Sequence, residues 1–281
     1  MSFTADLQAA LIVTTYNWPE ALSLTLQSVL RQTTRPHEVI IADDGSKPKT
    51  ASVVAELLGP VNLRWCQVRH ADAKVRQSRI KNLAAKHSQA PYLIFVDHDV
   101  VLHPDFVADH LAEAEKGIFL QGKRALLSER ATIKVLAEGR FRVPSLLTRG
   151  LGNSKNTLHL PALGSLLARP KRFTTSLRGC NLSMFRSDFL TVDGFDETYD
   201  QSWGREDSDI CYRLFHAGVR VKHLWFAALQ YHLYHGVTAN WDRERLDSEL
   251  AGTLRDRRVK ALRGFSRLSS EGGIIAASPG F

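Results

Sequence analysis

The chain has 281 residues, 44% hydrophobic and 23% charged, with 18 Gly and 10 Pro. Such a chain builds a packed core and is not disordered, collagen-like or coiled-coil. Lys and Arg number 37 against 29 Asp and Glu, a net charge of +8. The distribution excludes a uniformly basic coat: residues 121–180 hold 12 cations against Glu129 and Glu138 alone, whereas residues 181–254 hold 7 cations against 12 acids.

The segment Met1–Asn17 has no charged leader region or cleavage site, and no apolar run reaches about 18 residues, so neither export nor a spanning helix is expected. Cys66, Cys180 and Cys211 form no CxxC pair, which fits a reducing cytoplasm. ALIVTTY, residues 10–16, reads as a buried strand. Asn17 is expected to cap the next helix, Pro19 suits its first turn, and Leu22, Leu26, Val29 and Leu30 share one face. Residues 38–42 give a second strand ending in Asp43-Asp44-Gly45-Ser46. A helix over 50–58, a strand over 62–68 and a basic helix over 74–88 follow. Residues 92–96, YLIFV, are the clearest strand and end in Asp97-His98-Asp99. This alternation predicts an α/β fold with a mostly parallel sheet, which binds ligands where its strands end.

After residue 120 the rhythm changes. Residues 123–178 read as a mobile or loop-rich insert with short helices. Order returns at 179–185, followed by a helix from Ser187 and a turn over 192–197. A helix from Glu206 then turns Ile210, Cys211 and Leu214 inward. One or two strands fit 219–233, and 241–268 reads as a surface helix. Its tail cations, Arg255 to Arg267, could rest on an anionic membrane surface.

Three constellations carry chemistry. Asp97 and Asp99 stand at i and i+2 just past a strand, where two carboxylates can share a hard divalent cation and the phosphates it binds; a solvated turn is the competing reading. Asp43-Asp44-Gly45-Ser46 also follows a buried strand. A carboxylate there can accept a uracil imide N–H or a ribose hydroxyl, while the same residues suit an ordinary turn. Neither GxxxxGK[ST] nor GxGxxG occurs. In Trp203-Gly204-Arg205-Glu206-Asp207-Ser208-Asp209, three carboxylates crowd a helix start at a cost that the helix dipole offsets only in part. That pattern favours a general base on Asp207, with Trp203 as a flat platform for a sugar and Gly204 beside it on the acceptor side.

ALIVTTYN, EVIIADDGS, YLIFVDHDV and WGREDSD, in that order, resemble the GT-A glycosyltransferases of family 2. RGCNLSMFRSDFLTVDGFDETYDQSWGREDSDICYRL resembles the carboxy-terminal half of galactosyltransferase-type enzymes and of bacterial capsule polymerases. The resemblance implies a nucleotide-sugar half over 1–120, a basic acceptor-side insert over 121–178, an acceptor and catalytic half over 179–240, and a basic helix and tail over 241–281. It places Thr15 and Tyr16 near the base and Asp43 or Asp44 on uracil and ribose. Arg76, Arg79 and Asn82 would lie on a helix that holds the nucleotide, with Lys81-Asn82 where the family has Arg-Asn. Asp97 would face ribose and metal, Asp99 would bind the metal (Mn²⁺ or Mg²⁺), and His232, preferred over His235, would complete that site. Asp207 is the implied base and Glu206 its orienting partner. His98 is expected to be a solvent-facing spacer.

The expected reaction is inverting, metal-dependent transfer from a UDP-sugar, galactose or an N-acetylhexosamine, to a hydroxyl of a glycan or lipid-linked acceptor in bacterial polysaccharide or lipopolysaccharide synthesis. The expected place is the cytoplasm, with a peripheral seat on the inner membrane face open. In the basic insert, Arg124 and Arg178 are the cations expected nearest a diphosphate, with a solvated loop as the competing reading. The alternative is a non-catalytic carbohydrate- or nucleic-acid-binding protein. No nucleic acid is expected, because Asp97, Asp99, Glu206 and Asp207 would face a polyanion. The intact metal and base carboxylates speak against a catalytically dead relative.

Overall fold

A computed structural model describes residues 7–144, 148, 150–175, 177–236 and 242–281. The start of the amino-terminal segment, Arg149 of the basic run and the first position of the expected tail helix lie outside the described residues. The strands are β1 (Ala9–Thr15), β2 (Glu38–Asp43), β3 (Trp65–Arg69), β4 (Tyr92–Asp97), β5 (Val100–Leu102), β6 (Ile118–Gln121), β7 (Arg124–Leu127), β8 (Leu151–Gly152), β9 (Asn181–Phe185), β10 (Arg220–His223), β11 (Gln230–His232) and β12 (Gly273–Ala277). The helices are α1 (Pro19–Leu30), α2 (Pro48–Leu58), α3 (Gln77–His87), α4 (Phe106–Ala112), α5 (Glu129–Glu138), α6 (Pro161–Leu167), α7 (Arg186–Thr191), α8 (Glu206–His216) and α9 (Arg243–Arg255).

Among the described residues the main sheet has the order β10-β6-β9-β4-β1-β2-β3-β12. Its centre is parallel: β1 pairs with β2 and β4, and β2 with β3. Strand β9 runs antiparallel between β4 and β6. The near-continuous apolar runs of β1, β2 and β4 follow from burial on both faces. Alternate residues feed two cores. Ile12, Ile40 and Phe95 pack with Ile80 of α3, Phe189 of α7 and Ile210 of α8. Leu11, Ile41 and Ile94 pack with Leu22 of α1, Val54 of α2 and Phe106 of α4. A smaller sheet has the order β5-β11-β7-β8, and its strand β5 follows directly on the turn after β4. No described helix is long and apolar enough to cross a membrane.

Three local expectations change. Asn17 does not cap α1. It takes a positive φ of 48° and ties two loops together: its N–H donates to Ser46 Oγ (3.0 Å) and its Oδ1 accepts from Lys47 N (2.8 Å). The insert begins with a strand, β7, which pairs in parallel with β11. The tail helix stops at Arg255. Beyond it the backbone docks on an acidic turn: Asp196 accepts from Leu262 N and Arg263 N, and Asp193 from Ser266 N. Phe265 then packs on the core, Arg255 and Arg258 pair with Asp256, and β12 joins the sheet edge antiparallel to β3.

Candidate active site

The carboxyl ends of β1, β2 and β4, the start of α8 and the end of β11 converge on a cavity of about 460 Å³. Thr14, Thr15 and Tyr16 reach it from the end of β1, and Asp44 from the end of β2. The hydroxyls of Thr14 and Thr15 are buried and have no hydrogen-bond partner. Buried polar groups are normally paired, so these are open positions for a ligand. Asp44 accepts from Arg76 N (3.0 Å) and sits 2.7 Å from His70 Nε2, which fixes its carboxylate at the rim. Asp43 points elsewhere: it accepts from Ser46 N (2.8 Å) and Gln67 Nε2 (2.8 Å) and holds the turn.

Asp99 lies in the tight turn between β4 and β5. The register of β11 against β5 puts His232 opposite Val100, and Leu233 N donates to Asp99 O (2.8 Å). Both histidines therefore reach one carboxylate oxygen: His232 Nε2 is 3.4 Å and His235 Nε2 3.2 Å from Asp99 Oδ2. The other oxygen, Asp99 Oδ1, is buried with no partner. Ligand atoms of Asp99, His232 and His235 lie within 4.8 Å of one another. A carboxylate, two imidazoles and a spare buried lone pair fit a divalent cation. Burial would raise the Asp99 carboxyl, but the surrounding His235, His232 and His98 outweigh it and hold it at about 2. Burial lowers His232, whereas the bond to Asp99 raises His235. The preference for His232 over His235 gives way to a site where both face Asp99.

Asp97 lines the cavity but is not part of that group. Burial, followed by the charges of Asp99, Glu206 and Asp207, pushes its carboxyl up to about 7 against the pull of Lys81. Lys81 is buried 3.1 Å from Glu206 Oε1. Burial alone would lower it, but Glu206, Asp97 and Asp207 keep it above its ordinary value. In the sequence Lys81 reads only as a stand-in for an Arg beside Asn82; its spacing from Arg76 and Arg79 gives no sign that it pairs with Glu206.

Glu206 and Asp207 open α8 after two residues of positive φ, Gly204 (100°) and Arg205 (73°). The Arg205 side chain is tied to Asp247 of α9 at 2.6 Å. Asp207 Oδ2 accepts from Gly179 N at 2.8 Å and Oδ1 from Ser208 N at 2.6 Å. Burial and the neighbouring Glu206 raise the Asp207 carboxyl. A Cβ on Gly179 would come within 2.9 Å of the Asp207 Cβ, so the absence of a side chain there allows the approach. Trp203 and Gly204 line the same cavity.

Besides Asp43, three predicted donor residues are not brought to the cavity. Arg76 forms a double ion pair with Glu271, and Arg79 donates to Ser269 Oγ and Glu271 O. Asn82 is consumed by both backbone groups of Phe195, 2.8 Å each. These residues hold the tail and the Asp193–Asp196 turn, and they position α3. His98 is not a solvent-facing spacer: it is half-buried, lines the cavity, and sits 3.2 Å from the Thr14 carbonyl and edge-on to Trp18. Arg124 also lines the cavity, whereas Arg178 does not.

The sequence profile of glycosyl transferase family 2 matches residues 10–147, and that of the N-terminal domain of galactosyltransferase matches residues 163–236. The chain is 25% identical over 245 residues to the chondroitin synthase of Escherichia coli, covering 79% of this chain and 34% of the synthase. It is 28% identical over 221 residues to the validoxylamine A glucosyltransferase of Streptomyces hygroscopicus subsp. limoneus, covering 75% and 48%. It thus spans about a third to a half of the length of these relatives. In three dimensions it is similar to GalNAc-T7 solved with UDP, GalNAc and Mn²⁺, with a TM-score of 0.60 at 17% identity over 84% of this chain and 45% of the other.

Proposed function

Because the chain belongs to glycosyltransferase family 2 and carries the GT-A fold, we propose that it moves a sugar from a UDP donor to an acceptor hydroxyl with inversion at the anomeric carbon. The observation that carries this reading is a single cavity lined by Asp207 and Glu206 together with Asp99, His232 and His235. The uracil and ribose would sit against Thr15, Tyr16 and Asp44. Asp99, His232 and His235 would hold the divalent cation. That cation, Mn²⁺ or Mg²⁺, would neutralise charge on the departing diphosphate. Asp97, which lines the same cavity, would face the ribose.

Asp207 takes the proton of the acceptor hydroxyl. Its raised carboxyl and fixed orientation suit that role, since a base works best near the operating pH and in a held geometry. Lys81 pairs with Glu206 beside it at 3.1 Å. One base and one leaving group leave no role for a second nucleophilic carboxylate, which is why a single displacement is expected. Trp203 offers a flat apolar face to the acceptor sugar. The galactosyltransferase-like segment favours galactose or an N-acetylhexosamine as the donor sugar, and the polysaccharide-synthase relatives favour a bacterial glycan acceptor.

The test is a screen of UDP-sugars with Mn²⁺, followed by Asp207→Asn. Transfer should fall by about 10²–10⁴-fold while UDP binding by calorimetry holds. Undiminished turnover would remove Asp207 from the base role. Asp99→Ala should weaken Mn²⁺ binding by at least about tenfold, read directly by electron paramagnetic resonance; unchanged Mn²⁺ affinity would move the metal elsewhere.

A further inference from the structure

Next to the catalytic cavity lies a second concavity, of about 190 Å³, lined by Lys123, Arg124, Lys155 and Arg178 together with Asn156 and Trp225. No carboxylate lines it. None of the four cations takes part in an ion pair among the described residues. Their charge acts on one another: burial, then Arg178, Lys155 and Lys171, lowers Lys123. His223 nearby is pushed down to about 4 by burial, Lys123 and Lys171.

The pocket is built rather than incidental. Buried Gln121 grips the Arg178 peptide from both sides, its Oε1 accepting from Arg178 N (2.9 Å) and its Nε2 donating to Arg178 O. Asn156 Nδ2 donates to Arg124 O at 2.7 Å. Lys123 Nζ stands 4.5 Å over the Trp225 ring. Two links join it to the reaction. Arg124 lines both cavities, and the residue after Arg178 is Gly179, whose N–H holds Asp207.

We propose that this pocket is a phosphate subsite for the acceptor, so that the sugar is transferred to a hydroxyl near a phosphate group. Four converging cations with no counter-charge suit a dianion better than a single carboxylate, and Arg with Lys is the usual pairing for phosphate. The space is too small for a nucleoside diphosphate, since sites for ligands of that size run to about 300 Å³ or more. It fits one phosphate and part of a sugar ring. The Arg178-Gly179 backbone ties it to Asp207, which puts it with the base and so on the acceptor side; that assignment rests on the transfer reading above.

Two arms test it on the full chain. In the first, inorganic phosphate is titrated by calorimetry with UDP and Mn²⁺ saturating, so that the donor site is already filled. Phosphate should bind, and the Lys123→Gln/Lys155→Gln double variant should weaken it about tenfold or more with UDP affinity unchanged. No phosphate binding to the wild type, or equal binding to the double variant, overturns the proposal. Lys155→Glu, at an exposed position, gives the same reading in a chain whose core is untouched. In the second arm, transfer to a phosphosugar, to a short-chain lipid diphosphate sugar and to the unphosphorylated sugar is compared. One of the two phosphorylated acceptors should show a KM about tenfold lower than the plain sugar, and the double variant should erase that gap without lowering kcat. Equal KM for all three overturns the acceptor assignment. If no acceptor reacts, the transfer reading fails, while the phosphate titration still decides the subsite.

Discussion

The catalytic cavity and the basic pocket share Arg124 but balance charge in opposite ways. In the cavity, Asp97, Asp99, Glu206 and Asp207 crowd together, and three of the four have a named partner: Lys81 for Glu206, two histidines for Asp99, two backbone N–H groups for Asp207; the Asp97 carboxyl is instead pushed up to about 7. In the pocket, none of the four cations forms an ion pair with a carboxylate among the described residues. A site whose charges are satisfied internally is pre-organised for chemistry, whereas one left unbalanced is shaped for a partner that brings the counter-charge. The net +8 of the chain is the average of these two arrangements and describes neither.

The strongest way to break this contrast is to remove the internal answer. Lys81→Met leaves Glu206 buried without its cation, and breaking a buried pair from one side costs about 3–5 kcal/mol. Urea unfolding should show that loss, and adding Glu206→Gln should restore part of it. A loss under about 1 kcal/mol would mean that solvent, and not Lys81, balances the cavity. Gly179→Ala tests the seam between the two regions. Its Cβ would meet Asp207 at 2.9 Å. The crowding should cost about 1–3 kcal/mol and lower kcat by about 10²-fold through a displaced base, with phosphate binding in the pocket kept.

A milder effect comes from the wall behind both sites. His110 is fully buried, 2.8 Å from Ser183 Oγ and 3.0 Å from Asn181 Oδ1, while Asn181 Nδ2 donates to Lys123 O and Ala228 O. Burial pushes His110 down to about 3, so the folded chain holds it neutral where the unfolded chain would protonate it. Its contribution is complete above pH ~6.5 and is lost as pH falls toward ~3, at about 1.4 kcal/mol per pH unit. His110→Gln should remove that slope between pH 6 and 4 (roughly the range where unfolding is measurable) in denaturant titrations. An unchanged slope would mean that His110 does not supply the pH dependence.

Strand ends and the start of α8 were legible because apolar runs and acidic clusters are local signals. YLIFV before Asp97-His98-Asp99 shows both the strand and the site. The approach of His235 to Asp99 was not legible, since it depends on the β11–β5 register and one backbone bond from Leu233. Arg76, Arg79 and Asn82 were misplaced for a related reason. Their helix was clear, but the groups that claim them, Glu271 and Phe195, are more than a hundred residues away in sequence. The strand β12 was missed because GIIAA is too short to separate from a loop without β3 beside it. The basic run was visible as composition, yet only the fold shows that Lys123 and Arg124 from one side meet Lys155 and Arg178 from two others.

The smallest expected effect isolates the pocket from the cavity. The Trp225 ring holds the Lys123 ammonium over its face at 4.5 Å, and such a contact contributes about 0.5–1 kcal/mol at a partly exposed site. Trp225→Leu should therefore weaken inorganic phosphate by about two- to fivefold. Trp225 does not line the catalytic cavity, so UDP and Mn²⁺ affinities should stay at the wild-type level. If all three shift together, Arg124 transmits the change and the two sites act as one electrostatic unit. If only phosphate shifts, the acid cavity and the basic pocket are separate binding sites joined at a single arginine.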